Sequence, residues 1–296
     1  MNPHGLRHTP LKRTCLPFHH SSFPEGETIS SAKNRRKHSF PHPQRKRSGM
    51  RGWKRHIRPM RSLLLLLLLG SPLLAGEEEI RAAIPAESRQ LVLVTTSGWK
   101  ASRGNAQRFE RKEAGGAWQP AGGKVPVVTG EKGMGWGLGL HAAPRTAAPA
   151  KREGDRRAPA GVFRLTFAFG LPAAGELGRL RLPYRRITPE TEAIDDSRSR
   201  FYNQLVERNQ VTAPDWRSSE KMAEIPDYAL GLAVAHNPRR VADAGSCIFL
   251  HLLRGPRSGT AGCTVLPRPA LLELIQWLDA RANPVLVQVP FPGFRP

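Results

Sequence analysis

Cysteine is scarce in this sequence, with only Cys15, Cys247 and Cys263 among 296 residues. Three are too few for a disulfide framework, and none has the Cys-x-x-Cys spacing of a zinc site. Long apolar runs are also missing, since the stretch from Leu63 to Ala75 is far shorter than the roughly 20 residues of a membrane-spanning helix. These absences argue against a disulfide-stabilised module, a zinc site and a spanning helix, and they leave a reactive thiol open.

Acidic residues are few as well, 24 against 46 lysines and arginines, which gives a formal net charge of +22. An excess of this size suggests a polyanionic partner such as nucleic acid or an anionic membrane. More than half of it, however, lies in residues 1–61, which hold 15 basic and two acidic side chains and show no sustained apolar periodicity. We therefore interpret residues 1–49 as a disordered basic stretch, with Met50 or Met60 as the favoured true start.

Residues 50–76 have the three-part pattern of a signal peptide. Basic residues after Met50 and Met60 precede a leucine run, small residues follow the run up to Gly76, and three glutamates come next. Glycine and proline interrupt the run, so export is favoured over anchoring. The sequence thus predicts a protein of the periplasm or cell envelope that meets the membrane only through this segment, if the segment stays uncleaved. The rival interpretation of residues 33–47 as a nucleic-acid-binding arm is weaker, because that arm would have to coexist with an export signal.

Beyond the signal segment the composition is even, with no linker, repeat or second apolar span, so residues 77–296 are predicted to form one domain. Short runs rich in β-branched and aromatic residues recur, and glycine and proline punctuate them. The expected strands lie at 91–96, 161–169, 228–236, 247–253 and 284–289. Helices are expected at 201–208 and 269–279. The fold class is therefore β-rich α+β, mostly sheet with a few short helices.

Histidine is almost absent from this domain, where only His141, His236 and His251 occur. A turn of small residues at 259–264 places Cys263 twelve residues after the last of them. A cysteine nucleophile reacts as the thiolate, so it needs an imidazole nearby that lowers its pKa and takes the proton. This pairing makes Cys263 the candidate nucleophile and His251 its candidate base. A buried structural cysteine, and His236 as the base, are the alternatives.

The turn itself is suited to acyl chemistry. Gly262 gives a substrate carbonyl close access, and the backbone N–H groups of Gly262 and Cys263 are candidates for an oxyanion hole, with Thr260 shaping the turn. Strand alternation puts Cys247 and His251 on one face about 13 Å apart. If His251 faces Cys263, then Cys247 is too distant to form a disulfide with it. We therefore expect Cys247 to be a packed core residue.

Several separate blocks of this domain stand in a characteristic order. They are Gly135 to His141, Lys151 to Phe163 with its Glu-Gly-Asp turn, Asp195 to Asn203, Ser218 to Met222, His236-Asn237, Gly245 to His251 and Thr260 to Cys263. In this order they resemble the catalytic domain of the L,D-transpeptidases, the cysteine enzymes of bacterial peptidoglycan cross-linking. The likeness extends from about Leu91 to Val289. It departs from the better-known members of the family in three ways: Ala261 stands in place of a histidine, no arginine follows Cys263, and the interval from His251 to Cys263 is shorter, which leaves His236 open as the base.

The resemblance implies a single L,D-transpeptidase-like domain in which Cys263, activated by His251, attacks the carbonyl of a diamino-acid residue in a stem tetrapeptide. The terminal D-alanine leaves and a thioester forms, which an amine of a second stem, a protein lysine or water then opens. Peptidoglycan stem peptides are the implied partners, nucleic acid is not, and neither a metal nor an organic cofactor is needed. Further site residues suggested for substrate binding are Tyr202, Asn203 and Asn237, with His236 as substrate contact or alternative base.

A non-catalytic alternative comes from the charge of +9 that remains outside residues 1–61. On this interpretation the protein is an envelope protein that binds peptidoglycan or an anionic polymer. The natural surface for it is Gly178–Arg186, with four arginines in nine residues. Thiol reactivity distinguishes the two functions, because a poised thiolate is alkylated quickly near neutral pH and a buried structural cysteine is not.

Overall fold

Short stretches of buried side chains recur along the chain and form a structure dominated by β-strands. The computed structural model describes residues 72–142, 147–256 and 258–296. The predicted disordered stretch 1–49 and most of the predicted signal segment 50–76 lie outside these residues. The strands are β1 Gln90–Thr96, β2 Arg103–Glu110, β3 Gln119–Pro120, β4 Val125–Val128, β5 Met134–Trp136, β6 Ala158–Gly170, β7 Tyr184–Arg186, β8 Thr191–Ala193, β9 Leu205–Glu207, β10 Glu220–Lys221, β11 Leu230–Val234, β12 Phe249–Leu252, β13 Thr264–Leu266 and β14 Val285–Val289. The α-helices are α1 Pro72–Ala82 and α2 Arg268–Trp277.

Eight of the strands close into a mixed barrel. Their order is β1-β14-β6-β11-β12-β13-β4-β2, and β2 returns to pair with β1. The pairs β1–β14 and β12–β13 are parallel, and the other neighbours in the barrel are antiparallel. Strands β3, β5 and β7 extend it at its margins, and β10, β8 and β9 form a separate three-stranded antiparallel sheet. The β-rich architecture expected from the sequence is thus confirmed.

Strand β12 divides its side chains between two apolar clusters. Leu250 and Leu252 belong to the main core, whereas Phe249 packs with Phe169 and Tyr228 in a second, smaller cluster. This is the alternation that an extended chain requires. Helix α2 closes the main core with one apolar face, formed by Leu271, Leu274 and Ile275. The helix predicted at 269–279 is therefore confirmed within a residue or two.

The helix predicted at 201–208 is wrong. Residues 201–203 form a turn, and the chain then enters β9, where Val206 pairs with Glu192 of β8. Asn203 has a left-handed backbone with φ 59°, which ends any helix at that point. The apolar spacing that suggested a helix comes instead from a turn followed by a short strand.

Two predicted strands begin later than expected, for local reasons. Residues Pro226–Ala229 form a 3₁₀ turn, so β11 starts at Leu230. Cys247 has φ 51°, which is incompatible with a strand, so β12 starts at Phe249. The strands predicted at 91–96, 161–169 and 284–289 are confirmed as β1, β6 and β14.

Helix α1 takes up the last residues of the predicted signal segment. Its Ile80 is fully buried in the main core, and the Arg81 guanidinium lies over the Phe294 ring, 5.0 Å from the centroid. None of the helices in the described part of the chain is long and apolar enough to cross a bilayer.

Candidate active site

Cys263 and His251 line one cavity of about 340 Å³. Its walls come from the segment before β6, from the small sheet with the 3₁₀ turn that precedes β11, and from β12 with the turn before β13. The lining residues are Lys151, Glu153, Gly154, Asp195, Glu220, Ile225, Asp227, Tyr228, Ser246, Cys247, Ile248, His251, Thr260, Ala261, Gly262 and Cys263. The structure therefore brings together the four residues that the sequence singled out as nucleophile, base and turn. They are Cys263, His251, Gly262 and Thr260.

The turn before Cys263 is fixed through Thr260. The Thr260 N–H donates to the Thr129 carbonyl at 3.0 Å, and the Glu131 N–H donates to the Thr260 carbonyl at 2.9 Å. The Thr260 hydroxyl donates to the Cys263 carbonyl at 2.5 Å and accepts from the Gly262 N–H at 3.2 Å. Since the Gly262 amide is already bonded, the Cys263 amide is the better of the two candidates for an oxyanion contact.

The Cys263 thiol is buried beside β12. Its sulfur accepts a hydrogen bond from the Phe249 N–H at 3.3 Å and donates to the Cys247 carbonyl at 3.6 Å. Burial, and after it the charge of Glu220, raise the pKa of this thiol to about 12. At neutral pH the thiol is therefore protonated, and it is not the poised thiolate that the sequence suggested. A base must take the proton during the reaction.

His251 reaches this cavity from the same face of the sheet. Because Leu250 pairs with Thr264 in the parallel β12–β13 ladder, Phe249 lies level with Cys263 and His251 lies diagonally beyond it. The Cα atoms of His251 and Cys263 are then roughly 8 Å apart, a distance that two facing side chains can bridge. The buried imidazole bonds the Leu252 carbonyl through Nδ1 at 3.2 Å.

His236, the alternative base, lies outside this cavity and lines a second one. Its Nε2 bonds the Ala244 carbonyl at 3.0 Å, and its Nδ1 accepts from the Leu138 N–H at 3.3 Å. Burial lowers its pKa to about 4. The two bonds fit a neutral ring with its proton on Nε2, so His236 ties two loops together, and the geometry favours His251 as the base.

His141 is packed into the barrel core. Its Nδ1 accepts from the Val162 N–H at 3.1 Å, and its ring lies between Trp136 and Phe163. Gly161 makes room for it, because a Cβ at that position would lie 1.8 Å from the His141 ring. His141, the remaining histidine of the domain, is thus a core residue.

The suggested substrate contacts Asn203 and Asn237 use their side chains to hold backbone. Asn203 donates from Nδ2 to the carbonyls of His236 and Asn237, both at 2.9 Å, and accepts from the Cys247 N–H at 2.8 Å. Asn237 is fully buried, and its amide bonds Val241 and the Gly245 carbonyl. Both residues therefore order the loops behind the thiol.

Tyr202, the third suggested substrate contact, is buried behind the cavity wall. Its hydroxyl donates to Glu153 Oε2 at 2.6 Å, and the Ser246 hydroxyl donates to the same oxygen at 2.7 Å. Burial and the Glu153 carboxylate raise the pKa of Tyr202. Tyr202 acts on the cavity indirectly, by fixing Glu153 in its wall.

Cys247 is a packed core residue, as expected, and both Cys247 and Cys263 are free thiols. The Cys247 Sγ donates to the Ile194 carbonyl at 3.4 Å, and burial raises its pKa well above that of an ordinary cysteine. The two residues are nevertheless closer than the expected 13 Å spacing suggests, since Cys263 bonds the Cys247 carbonyl directly. Each sulfur donates to a different carbonyl, that of Ile194 for Cys247 and that of Cys247 for Cys263.

Sequence reasoning assigned no role to several charged or hydroxyl-bearing groups of the cavity wall. Four of them are Lys151, Glu153, Glu220 and Tyr228. Lys151 is almost fully buried. Its Nζ pairs with the Asp155 carboxylate at 2.6 Å and donates to the Arg152 carbonyl at 2.5 Å. The blocks at 151–163 and 218–222 contain three of these four residues, so the resemblance had already marked their segments. Tyr228 instead begins a predicted strand, which gave no reason to place it in a site.

The arginine-rich segment Gly178–Arg186 is largely engaged within the protein. Arg181 pairs with Asp279 at 3.0 Å, Arg185 pairs with Glu207 at 3.0 Å, and Arg186 donates to the Leu171 carbonyl at 3.3 Å. These contacts hold β7 against its neighbours. They also occupy guanidinium N–H donors with which this segment would have to bind a polyanion.

Among residues 72–142, 147–256 and 258–296, no group of three or more histidine, cysteine or carboxylate side chains is placed to hold a metal ion. Comparison with protein-family models, with curated proteins and with solved structures finds no match for this chain.

Proposed function

We propose that the protein is an exported cysteine acyltransferase of the L,D-transpeptidase type, acting on peptidoglycan stem peptides. One observation carries the proposal. Cys263, which follows the Thr260 turn, lines the same cavity as the buried His251. Five of the seven blocks that suggested the family contribute residues to the wall of this cavity, the exceptions being Gly135 to His141 and His236-Asn237. We also propose that its site of action is the periplasm or cell envelope, reached through the segment 50–76.

In the proposed reaction His251 accepts the Cys263 proton and the sulfur attacks the stem carbonyl between the diamino-acid residue and the terminal D-alanine. The Cys263 amide stabilises the oxyanion, and Thr260 holds this amide in place by bonding the residues on either side of it. The C–N bond then breaks, D-alanine leaves with the proton, and a thioester remains. No metal or organic cofactor enters these steps.

The acyl acceptor determines the product. An amine of a second stem gives a cross-link, water gives an L,D-carboxypeptidase reaction, and a protein lysine tethers a protein to the wall. Carboxylates dominate the cavity wall, with Glu153, Asp195, Glu220 and Asp227 against Lys151, which is paired with Asp155. A wall of this charge favours amine-bearing molecules and disfavours a polyanion, so we favour the acyltransferase over the anionic-polymer binder.

Intact mass spectrometry of the full chain after incubation with purified disaccharide-tetrapeptide tests the proposal. We expect an acyl adduct on the wild type together with released D-alanine, and neither with Cys263→Ala. Cys247→Ala is the matched control, since it removes the neighbouring buried thiol and should keep the adduct. No adduct and no D-alanine from folded wild-type protein would refute the enzyme. An adduct that survives Cys263→Ala would refute the assignment of the nucleophile.

A further inference from the structure

Lys151 is a buried cation in the wall of the candidate active-site cavity, and the proposed reaction assigns it no task. Only 3% of its side chain is exposed, and that side chain packs against two glycines. A Cβ at Gly245 would lie 3.1 Å from Cγ and Cε of Lys151, and a Cβ at Gly262 would lie 3.7 Å from Cε. Gly262 directly precedes Cys263, so the Lys151 side chain lies beside the turn that carries the candidate nucleophile.

The Lys151 ammonium is fixed by its neighbours but retains a donor. Its Nζ donates to Asp155 Oδ1 at 2.6 Å and to the Arg152 carbonyl at 2.5 Å. An ammonium group has three N–H donors, so one remains for a ligand once these bonds of the described residues are made. Asp155 also accepts from the backbone N–H groups of Arg152 and Arg157, at 2.8 and 2.9 Å, and these groups take up part of its negative charge. Because a buried ion pair contributes little net stability, the burial of this cation favours a functional role.

The charge of the cavity wall makes the position of this cation chemically informative. Among the described residues that line the cavity, Lys151 is the only lysine or arginine, and it stands with Glu153, Asp195, Glu220 and Asp227. In a stem tetrapeptide a single carbon atom joins the terminal carboxylate to the scissile nitrogen, so this carboxylate enters the same cavity as the reacting carbonyl. The four acidic side chains repel it, and Lys151 is the group of the wall that attracts it.

We propose that Lys151 binds the terminal carboxylate of the D-alanine that leaves, an inference that rests on the proposed function. The remaining N–H of its ammonium group donates to this carboxylate, while Asp155 and the Arg152 carbonyl hold the group in place. Lys151 is then a specificity-determining residue. It selects stems that end in a free carboxylate directly after the scissile bond, because a stem that ends there in an amide leaves the buried donor without its anion.

Two substrates that differ only at this carboxylate test the proposal in the full chain. They are purified disaccharide-tetrapeptide and the same compound with its terminal D-alanine amidated. Both leave the same acyl group on Cys263, so single-turnover mass spectrometry compares their acylation rates directly. We expect the free acid to acylate the wild type about tenfold to a hundredfold faster than the amide. Lys151→Met should abolish or reverse this preference, because the four carboxylates of the wall remain. Arg152→Met is the matched control, since it removes a positive charge from the next residue, whose exposed side chain is not part of the cavity wall.

Two results would overturn the carboxylate contact. A wild type that reacts with the amidated stem as fast as with the free acid, or faster, has no such contact, and this result needs no variant. A Lys151→Met protein that slows both substrates equally keeps the preference, as expected of a merely structural lysine. If this variant loses its fold by near-ultraviolet circular dichroism, the double variant Lys151→Met with Asp155→Asn replaces it, because it leaves no buried carboxylate unpaired. Absence of an adduct from either stem refutes the proposed function itself, whereas adducts formed at equal rates refute only the role of Lys151.

Discussion

The backbone nitrogen of Phe249 lies 3.3 Å from the Cys263 sulfur, so strand β12 itself holds the thiol. The same strand carries His251 two residues later, on the same face. The separation of thiol and imidazole is therefore set by a β-ladder, which is more rigid than a loop. Rigid placement of this kind is what a reaction that depends on proton transfer between two side chains requires.

The buried Cys263 thiol should titrate only at high pH. Since burial raises its pKa to about 12, the thiolate absorbance that Cys263→Ala removes is expected to be missing near neutral pH and to grow above about pH 10. The folded pKa lies above the value of about 8.5 for an unfolded cysteine, so the protonated thiol stabilises the fold below that pH and the contribution is lost as pH rises towards 12. A full thiolate step near pH 7 would contradict this.

Thr260→Val should impair acyl-enzyme formation more than folding. The substitution removes the hydroxyl that binds the Gly262 amide and the Cys263 carbonyl, so the turn loses its internal link while β-branching is kept. We expect acylation to slow by about tenfold to a hundredfold, as for other losses of a positioned hydrogen bond at an oxyanion site. Single-turnover mass spectrometry measures it, with Thr260→Ser as the control that restores the rate. Equal rates in Thr260→Val and wild type would remove Thr260 from the site.

His236 should make the protein sensitive to mild acid. Its folded pKa of about 4 lies below the unfolded value of about 6.5, so the neutral ring supports the fold above pH 6.5 and the support is lost as pH falls towards 4. The difference corresponds to at most about 3 kcal/mol. Urea unfolding near pH 7 and near pH 4.5 is expected to show a smaller pH effect in His236→Gln than in wild type. An equal effect in both would show that other groups control acid stability.

Asn203→Ala should destabilise the loops behind the thiol. The change removes three hydrogen bonds to backbone groups and leaves an alanine at φ 59°. We expect a loss of about 3 kcal/mol of unfolding free energy, and a smaller loss for Asn203→Gly, since glycine tolerates that backbone. Urea denaturation of the two variants separates the hydrogen bonds from the backbone strain. If Asn203→Ala and Asn203→Gly were both as stable as wild type, the three hydrogen bonds of Asn203 would be unimportant for stability.

Local pattern predicted the strands and the helix that form continuous apolar runs. Strands β1, β6 and β14 and helix α2 were visible because their burial follows the period of the element. The turn at Asn203 defeated the same reasoning, because a single left-handed residue stabilised by distant backbone groups has no periodic signature.

The residues of the candidate site also fall into those that the sequence could predict and those that it could not. Scarcity singled out Cys263 and His251, since the domain holds few residues able to perform that chemistry. Tyr228 and Glu220 could not be found in this way, because they reach the wall of the cavity only when the small sheet packs beside β12. Tyrosine and glutamate are also common enough in cores and on surfaces that neither stands out in one sequence.

Strand β14 lies between β1 and β6, so residues 285–289 complete hydrogen-bond ladders to residues 91–95 and 161–164. Contacts of such long sequence separation give a high contact order and a slow closure. Until β14 is in place, β1 and β6 each present an unpaired edge, the kind of surface that recruits strands from other chains. Chains that stop short of residue 285 should therefore aggregate instead of folding in part. For the same reason, a fusion or tag that restrains the 285–289 segment would slow folding more than one placed on the loop at 111–118.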